Sequence, residues 1–172
     1  RVPPADEKAV HRLFREELGD EPANLFKTFE EKPFASASIA QVHYATLHSG
    51  EEVGVKIQRP GIRRRVAADL QILKRGAQLV ELAKLGRRLS AQDVVADFAD
   101  NLAEELDFRL EAQSMDAWVS HMHASPLGEN IRVAQVYWDL TSARVLTMER
   151  IEGTRIDDVA AIRKKGFDGE TL

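Results

Sequence analysis

The spacing of apolar residues along this 172-residue chain predicts four helices. The first has apolar residues three and four apart and ends at Gly19. Two long helical stretches follow, and Ser90 with Asp93 fits the capping box that begins the second of them. A short loop separates these two, so we expect them to pack antiparallel. The helices are expected at residues 5–18, 62–85, 90–121 and 156–165.

Two other regions have the character of β-hairpins. Residues 41–47 and 52–58 are rich in β-forming residues, and the loop between them contains Gly50. A second pair of strands is expected at 131–138 and 144–151, with a turn between them. The alternation of helices and hairpins indicates an α+β fold.

Composition limits what this fold can do. With 44% hydrophobic and 30% charged residues, the chain resembles an ordinary globular domain, and its net charge of −4 gives no reason to expect nucleic acid. The absence of cysteine excludes disulfides, thiolate metal sites and cysteine nucleophiles. No apolar run approaches the roughly 18 to 20 residues that span a bilayer. Because Arg1 is not an initiator Met, we expect a piece of a longer protein that is cytoplasmic or membrane-associated through other regions.

The two long helices carry opposite charge. Residues 59–88 contain nine Lys and Arg against two acidic residues, whereas residues 93–116 contain eight Asp and Glu against Arg109 alone. Mutual compensation between neighbouring helices is the simpler explanation. A basic surface for an anionic partner stays open as the alternative.

Residues 33–62 carry the clearest chemical pattern. Ala35, Ala37, Ala40 and Val42 stand at the spacing of the kinase glycine-rich loop, G-x-G-x-x-G-x-V, and Lys56 follows in V-G-V-K where V-A-I-K would be. The lysine emerges from an apolar strand, so its ammonium needs a carboxylate or phosphate partner. A phosphate-covering loop followed by a strand lysine is typical of phosphoryl transfer.

The acidic helix supplies candidate partners for this lysine. Asp107 and Glu111 are four residues apart and share a helix face, whereas Glu105 and Asp107 point about 200° apart. One straight helix therefore cannot direct all three carboxylates at one point. Either the helix is distorted near Glu105, or the carboxylates have separate roles. Taken alone, these residues also fit an ordinary acidic surface.

Together these segments resemble the UbiB family of atypical protein-kinase-like proteins. The resemblance rests on A-x-A-S-I-x-Q-V-H at residues 35–43, V-K-x-Q-R-P-G at 55–61, Glu105-x-Asp107 with Glu111, and the strand at 145–153. It implies a kinase-like N-lobe, with a twisted antiparallel sheet of about five strands and two long helices packed on it. It also implies Mg-ATP binding, ATP hydrolysis rather than ordinary protein phosphorylation, and a role in ubiquinone or other isoprenoid-lipid metabolism.

The resemblance also implies roles for single residues. Lys56 would contact the phosphates with Glu111 as its helix partner, as in the kinase Lys-Glu pair. Glu105 and Asp107 would form the acidic E-x-D motif that faces the nucleotide, the metal or an inhibitory N-terminal extension. The loop over the phosphates would be Ala35, Ser36, Ala37, Ser38, Ile39, Ala40, Gln41 and Val42. Met148 would be the gatekeeper, with Glu149 and Ile151 in the adenine-binding hinge. No metal ligand is assigned in this chain, and the groups that hold Mg²⁺ are expected outside residues 1–172.

The whole chain is expected to form one lobe. Its parts would be an N-terminal helical segment (1–30), the alanine-rich loop hairpin (31–58), the helical pair (62–122), the hairpin and hinge (131–153) and the start of the C-lobe connection (154–172). Expected partners are ATP and proteins of lipid or isoprenoid-quinone biosynthesis, with no nucleic acid. The alternative is a non-catalytic kinase-like scaffold that docks a partner protein or a membrane surface through the basic helix at 63–88.

Overall fold

The computed structural model describes residues 3–82, 90–123, 128 and 131–167. The strands are β1 (Thr28–Phe29), β2 (Ala35–Ser36), β3 (Ala40–Thr46), β4 (Glu52–Gln58) and β5 (Val145–Glu149). The helices are α1 (Glu7–Leu18), α2 (Pro22–Leu25), α3 (Ile62–Leu82), α4 (Ala91–Glu105), α5 (Phe108–His123) and α6 (Val159–Lys164). The predicted α+β class with a five-stranded antiparallel sheet is confirmed.

The sheet is built around the β3–β4 hairpin. Its order is β1-β3-β4-β5, and β2 pairs with the start of β3. All pairs are antiparallel, and in the central register Val42 lies opposite Lys56, which in turn lies opposite Leu146. Successive side chains of a strand point to opposite faces. One face of β4 therefore carries Lys56 and Gln58, and the other carries the apolar residues between them.

The two faces of the sheet have separate apolar cores. On the first face, Val53, Val55 and Ile57 pack with Phe14 of α1 in a fully buried cluster. On the second face, a smaller cluster joins Ala40 and Leu146 of the sheet to Phe108 and Ala112 of α5. Because α5 covers only part of the second face, the remainder is open beside Lys56.

The residues predicted to end the first helix and to begin α4 do so in the structure. Gly19 takes a left-handed φ of 80° and its N–H closes α1 on the Arg15 carbonyl. The Ser90 hydroxyl accepts a hydrogen bond from the Asp93 N–H at 3.2 Å, so the predicted cap is confirmed. The expected end of the helix predicted at 62–85 lies outside the described residues.

Two predicted elements differ in the structure. The prediction of a strand at 131–138 is wrong, because these residues make only one bridge, between Val136 and Met148. The chain leaves the sheet edge there because Tyr137 and Leu140 turn inward to pack against the first core. The predicted continuous helix at 90–121 is interrupted at Leu106, where α4 ends, and resumes as α5 at Phe108.

The interruption changes which helix covers the sheet. Of the two segments, α5 packs on the sheet through Phe108 and Ala112. The segment α4 instead packs along α3, and Ala77 is the one buried residue that the structure gives to this pair. No ion pair joins α3 to α4 among the residues that the structure describes, so charge compensation between them does not take that form. Within the described ranges, no helix is both long and apolar enough to cross a bilayer.

Candidate active site

The central contact of the candidate site joins Lys56 on β4 to Glu111 on α5. The Lys56 ammonium donates to both carboxylate oxygens, at 2.8 Å to Oε1 and 2.6 Å to Oε2. Its Nζ also lies 4.9 Å from the centroid of the Phe108 ring, within reach of a cation–π contact. The pair is partly exposed, with 24% of the Lys56 side chain and 42% of the Glu111 side chain accessible, so it contributes about 1 kcal/mol or less to stability.

Two side chains hold the break between α4 and α5: Gln58, the last residue of β4, and Arg63, in the first turn of α3. Gln58 is 1% exposed, and its Nε2 donates to the Leu106 carbonyl at 3.0 Å. The Arg63 guanidinium donates to the same carbonyl, while its Nε donates to Gln58 Oε1 at 2.9 Å. The Phe108 N–H, which the break also frees, donates to the Ala143 carbonyl at 3.1 Å. The Leu106 carbonyl and the Phe108 N–H, which the break leaves without helical partners, therefore each have a hydrogen-bond partner, as buried polar groups require.

This break brings the acidic residues to one cleft. Glu105, Asp107 and Glu111 line, with Lys56, an open cleft of about 650 Å³ between α4, α5 and β4. Of the two alternatives that the helical geometry left, the structure has the distorted helix. The three carboxylates reach a common cleft because the chain leaves the helical path at Leu106, where φ is −91° and ψ is 6°.

The carboxylates in the cleft differ in their partners. Asp107 accepts from the Arg109 Nε at 2.8 Å and from the Arg109 N–H at 3.1 Å. These hydrogen bonds from Arg109 lower the pKa of Asp107 below its usual range. The side chains of Glu104 and Glu105, which both line the cleft, make no hydrogen bond or ion pair within the described part of the chain. Glu105 is therefore one of two carboxylates in this cleft that are available to a ligand.

The alanine-rich loop is a tight hairpin at the beginning of β3, and none of its residues lines this cleft. Ala35 pairs with Val42, and the Ala37 N–H donates to the Ala40 carbonyl at 2.8 Å, so Ser38 and Ile39 form the turn. The hairpin is attached to the end of β4 by the Arg59 N–H, which donates to the Ile39 carbonyl at 2.8 Å.

Gln41 faces away from the cleft, although it belongs to the same loop. Its side chain is 1% exposed, and its Oε1 accepts from the Ala5 N–H at 2.8 Å. Its Nε2 lies 2.8 Å from Nε2 of His43, whose Nδ1 lies 2.7 Å from the Glu30 carbonyl oxygen. Burial lowers the pKa of His43, so a neutral ring fits this chain of hydrogen bonds. The Q-V-H part of the motif thus connects the N-terminal segment to β3 on the first face of the sheet.

A second cavity lies on the same sheet face as Lys56. It has a volume of about 740 Å³, and its apolar lining includes Val42, Gly54, Met148 and Ile151. A Cβ at Gly54 would come within 3.8 Å of the Val42 side chain, so a larger residue here would fill part of the space that the glycine leaves open above the sheet. The gatekeeper and hinge residues predicted from the resemblance therefore line one cavity, whose lining also includes the charged residues Arg150, Glu152 and Lys165.

Not every hinge residue directs its side chain into this cavity. The Glu149 carboxylate accepts from Arg132 and from the Gln135 N–H at 3.4 Å, although Glu149 lies on the cavity's border. The Arg150 guanidinium lies 4.1 Å from the centre of the Tyr44 ring, and both residues line the cavity. Sequence reasoning missed Arg150 and Tyr44, and also Gln58, which strand alternation from Lys56 would have placed on the site face.

The structure has the features of a protein-kinase-like N-lobe: a five-stranded antiparallel sheet, a strand lysine bound by a helix glutamate, and a cavity on the same face of the sheet. The ABC1 atypical kinase-like domain matches residues 1–172, and the chain belongs to this family. The recognition of a UbiB-type kinase-like protein from sequence is thereby confirmed.

Individual relatives agree with this assignment. The uncharacterized protein Rv0647c of Mycobacterium tuberculosis is 83% identical over 172 residues, which are 100% of this chain and 35% of that protein. A "Probable protein kinase UbiB" of Azotobacter vinelandii is 41% identical over 173 residues, covering all of this chain and 32% of the relative. The solved complex of Rv3197 with erythromycin, from Mycobacterium tuberculosis, has a TM-score of 0.75 and 34% identity over 96% of this chain and 40% of that one. The chain thus spans about a third of the length of the curated relatives that it matches.

Proposed function

We propose that this chain is the nucleotide-binding lobe of an atypical kinase or ATPase of the UbiB type. The observation that carries the proposal is the Lys56–Glu111 contact, on the sheet face that also bears Met148 and beside the alanine hairpin. In kinases the equivalent lysine is held by a helix glutamate so that it can bind nucleotide phosphates. A partly exposed ion pair adds little stability, so its geometry fits a binding role better than a structural one.

The two cavities suit the two halves of ATP. The cavity that Val42, Gly54 and Met148 line fits a base, because nucleotide sites combine apolar side chains with polar groups, and Arg150 and Lys165 are among its other lining residues. The next residue position on the same face of β4 is Lys56, whose ammonium fits the phosphates. Bound Mg-ATP would supply the phosphoryl group, while this chain binds and orients it. The metal ligands are proposed to lie outside residues 1–172, with Glu105 as an additional acidic group near the phosphates.

The pathway is a separate part of the proposal. We propose that the full-length protein supports ubiquinone or other isoprenoid-quinone biosynthesis, or lipid homeostasis, and works with proteins of those pathways. Membrane association would occur through regions outside this stretch. The support is the identity of about 40% with relatives named UbiB over the whole of this chain.

Nucleotide binding is tested by thermal unfolding of the full-length protein with and without Mg-ATP. A ligand that binds only the folded state stabilises it by RT ln(1 + [L]/Kd), about 2.7 kcal/mol at a hundredfold excess over Kd. We expect Mg-ATP to raise the unfolding temperature of the wild type and of Lys74→Met, an exposed lysine on α3. The increase should be lost in Lys56→Met. Equal stabilisation of Lys56→Met and the wild type would overturn the proposal.

A non-catalytic docking function is the second candidate. It is favoured by the exposed apolar side chains of α3 and α4, since surfaces of this kind often mark interaction sites. The largest exposed fractions are 69% for Ile72, 67% for Leu79, 79% for Leu82 and 53% for Val94. The same titration separates the two functions, because a bare scaffold gains no stability from Mg-ATP in any variant.

A further inference from the structure

A second site, distinct from the Lys56 cleft, is indicated by a cavity with an arginine-rich lining. The cavity has a volume of about 350 Å³ and lies between α1, the turn from β4 into α3, and the residue before β5. Five arginines line it, whereas one carboxylate, that of Glu16, does so. The arginines are Arg12, Arg59, Arg63, Arg64 and Arg144.

Within the described ranges, Arg144 is the one lining arginine that forms ion pairs with acidic residues. Arg144 donates from Nε to Glu17 at 2.6 Å and from its terminal nitrogen to Glu16 at 2.9 Å. The one lining carboxylate is therefore already engaged. The pKa of Arg144 is raised by these hydrogen bonds against the effect of its burial, so its charge is retained within the pair.

The other lining arginines form no ion pair with a carboxylate of the described residues. The side chain of Arg63 has the Gln58 amide oxygen and the Leu106 carbonyl as acceptors, and both are neutral. Arg59 likewise donates to backbone carbonyls, including that of Ala37 at 3.5 Å. Arg12 and Arg64 are exposed, and their side chains make no hydrogen bond or ion pair with the described residues.

Five arginines outside the lining pair with a nearby carboxylate, namely Arg15, Arg109, Arg132, Arg150 and Arg155. Three other described arginines, Arg65, Arg75 and Arg163, have no ion pair, but none of them lines this cavity. The cavity is therefore a place where several arginines without an ion pair come together. Several guanidinium groups around one cavity repel each other unless an anion lies among them. Planar guanidinium groups bind phosphate oxygens in a bidentate manner, and a polyvalent anion compensates more than one of them.

We propose that this cavity binds a small, soluble anion of the phosphate class, and that its preferred form is a diphosphate group. The site is separate from the Lys56 cleft, since the linings of the two share no residue. The two sites are connected through Arg63, which lines the arginine cavity and also donates to the carbonyl at the α4–α5 break.

The test is isothermal titration calorimetry of the full-length protein with inorganic pyrophosphate at low ionic strength. The cavity variant is Arg12→Gln/Arg64→Gln, which removes the two arginines that have no partner. Its matched control is Arg65→Gln/Arg75→Gln, which changes the net charge equally at exposed positions of α3 outside the lining. Lys56→Met tests whether pyrophosphate occupies the nucleotide cleft instead.

We expect the cavity variant to weaken pyrophosphate binding at least about tenfold, because two charge-assisted contacts are lost. The matched control and Lys56→Met should change the affinity by less than about twofold. Equal weakening by both arginine pairs would mean general electrostatic attraction and would overturn the proposal. Loss of binding in Lys56→Met alone would also overturn it, as would a wild type that does not bind pyrophosphate.

A further arm separates a soluble phosphate from a lipid headgroup. Cosedimentation with vesicles that contain phosphatidic acid is measured in the same variants. Binding to vesicles without binding to pyrophosphate would overturn the proposal of a small-anion site. Failure of this proposal leaves nucleotide binding at Lys56 untouched, because the two are measured with different ligands and different substitutions.

Discussion

Replacement of Gln58 by methionine should loosen the break between α4 and α5. The buried Gln58 side chain makes two hydrogen bonds, to the Leu106 carbonyl at 3.0 Å and from Arg63 Nε at 2.9 Å. Methionine has a similar length and no polar hydrogen, so both bonds are lost without a large change in volume. The variant therefore isolates the polar role of this residue.

The size of the effect depends on which hydrogen bonds the Leu106 carbonyl and Arg63 keep in the variant. The Leu106 carbonyl keeps its hydrogen bond from Arg63, and Arg63 is exposed enough for water to reach its Nε. Two lost hydrogen bonds with a partly satisfied carbonyl should lower the free energy of unfolding by about 1–3 kcal/mol. The stabilisation of the protein by Mg-ATP should fall as well, since Phe108 and Glu111 follow directly after the break.

Urea unfolding of the full-length protein measures this cost. The matched control is Gln78→Met at an exposed position of α3, which should stay within about 0.5 kcal/mol of the wild type. The midpoint of Gln58→Met should fall at an unchanged m-value. An unchanged midpoint together with full stabilisation by Mg-ATP would refute the role assigned to Gln58.

Other substitutions test single contacts of the site. Glu111→Gln should reduce ATP turnover by the full-length protein roughly tenfold or more while changing stability by less than about 1 kcal/mol, and unchanged turnover would remove Glu111 from the site. The pKa of Asp107 is lowered in the folded state, so its stabilisation is present above its unfolded pKa and is lost as the pH falls through the folded value. The unfolding temperature of Asp107→Asn should therefore depend less on pH between about 2 and 5 than that of the wild type, and identical pH profiles would contradict this. We expect the alanines to restrain the phosphate-covering loop, because alanine allows its backbone less freedom than glycine does. Ala37→Gly should therefore lower stability by about 0.4–1 kcal/mol and alter ATP affinity. ATP binding and turnover equal to those of the parent would contradict this restraint.

The parts of the fold that sequence predicts well are those with a local cause. The β3–β4 hairpin follows from β-forming residues around Gly50, and the beginning of α4 follows from Ser90 and Asp93. The contact between Lys56 and Glu111 was predicted from the resemblance to kinase-like proteins. The hairpin and the helix beginning need no information from distant parts of the chain. The Lys56–Glu111 contact joins residues 55 apart, so its prediction needs the family pattern.

The features that sequence reasoning missed depend in part on distant residues. Apolar periodicity continues through Leu106, but Asp107 is a local signal, because its carboxylate accepts from the Arg109 N–H at 3.1 Å as an N-cap does at the start of α5. The distant contribution is that of Gln58, 48 residues earlier in the chain, which donates to the Leu106 carbonyl. The missing strand at 131–138 has the same character, because Tyr137 leaves the edge to join a core formed mainly by other segments. The inward side chain of Gln41, in contrast, could have been found from strand alternation alone.

The break at Leu106 has a mechanical consequence. On one side, α5 packs on the sheet through Phe108, and on the other, α4 packs along α3. Glu105 is the last residue of α4, whereas Glu111 belongs to the helix that lies on the sheet. We therefore expect a displacement of α3 and α4 to move Glu105 more than Glu111, which is also bound by Lys56.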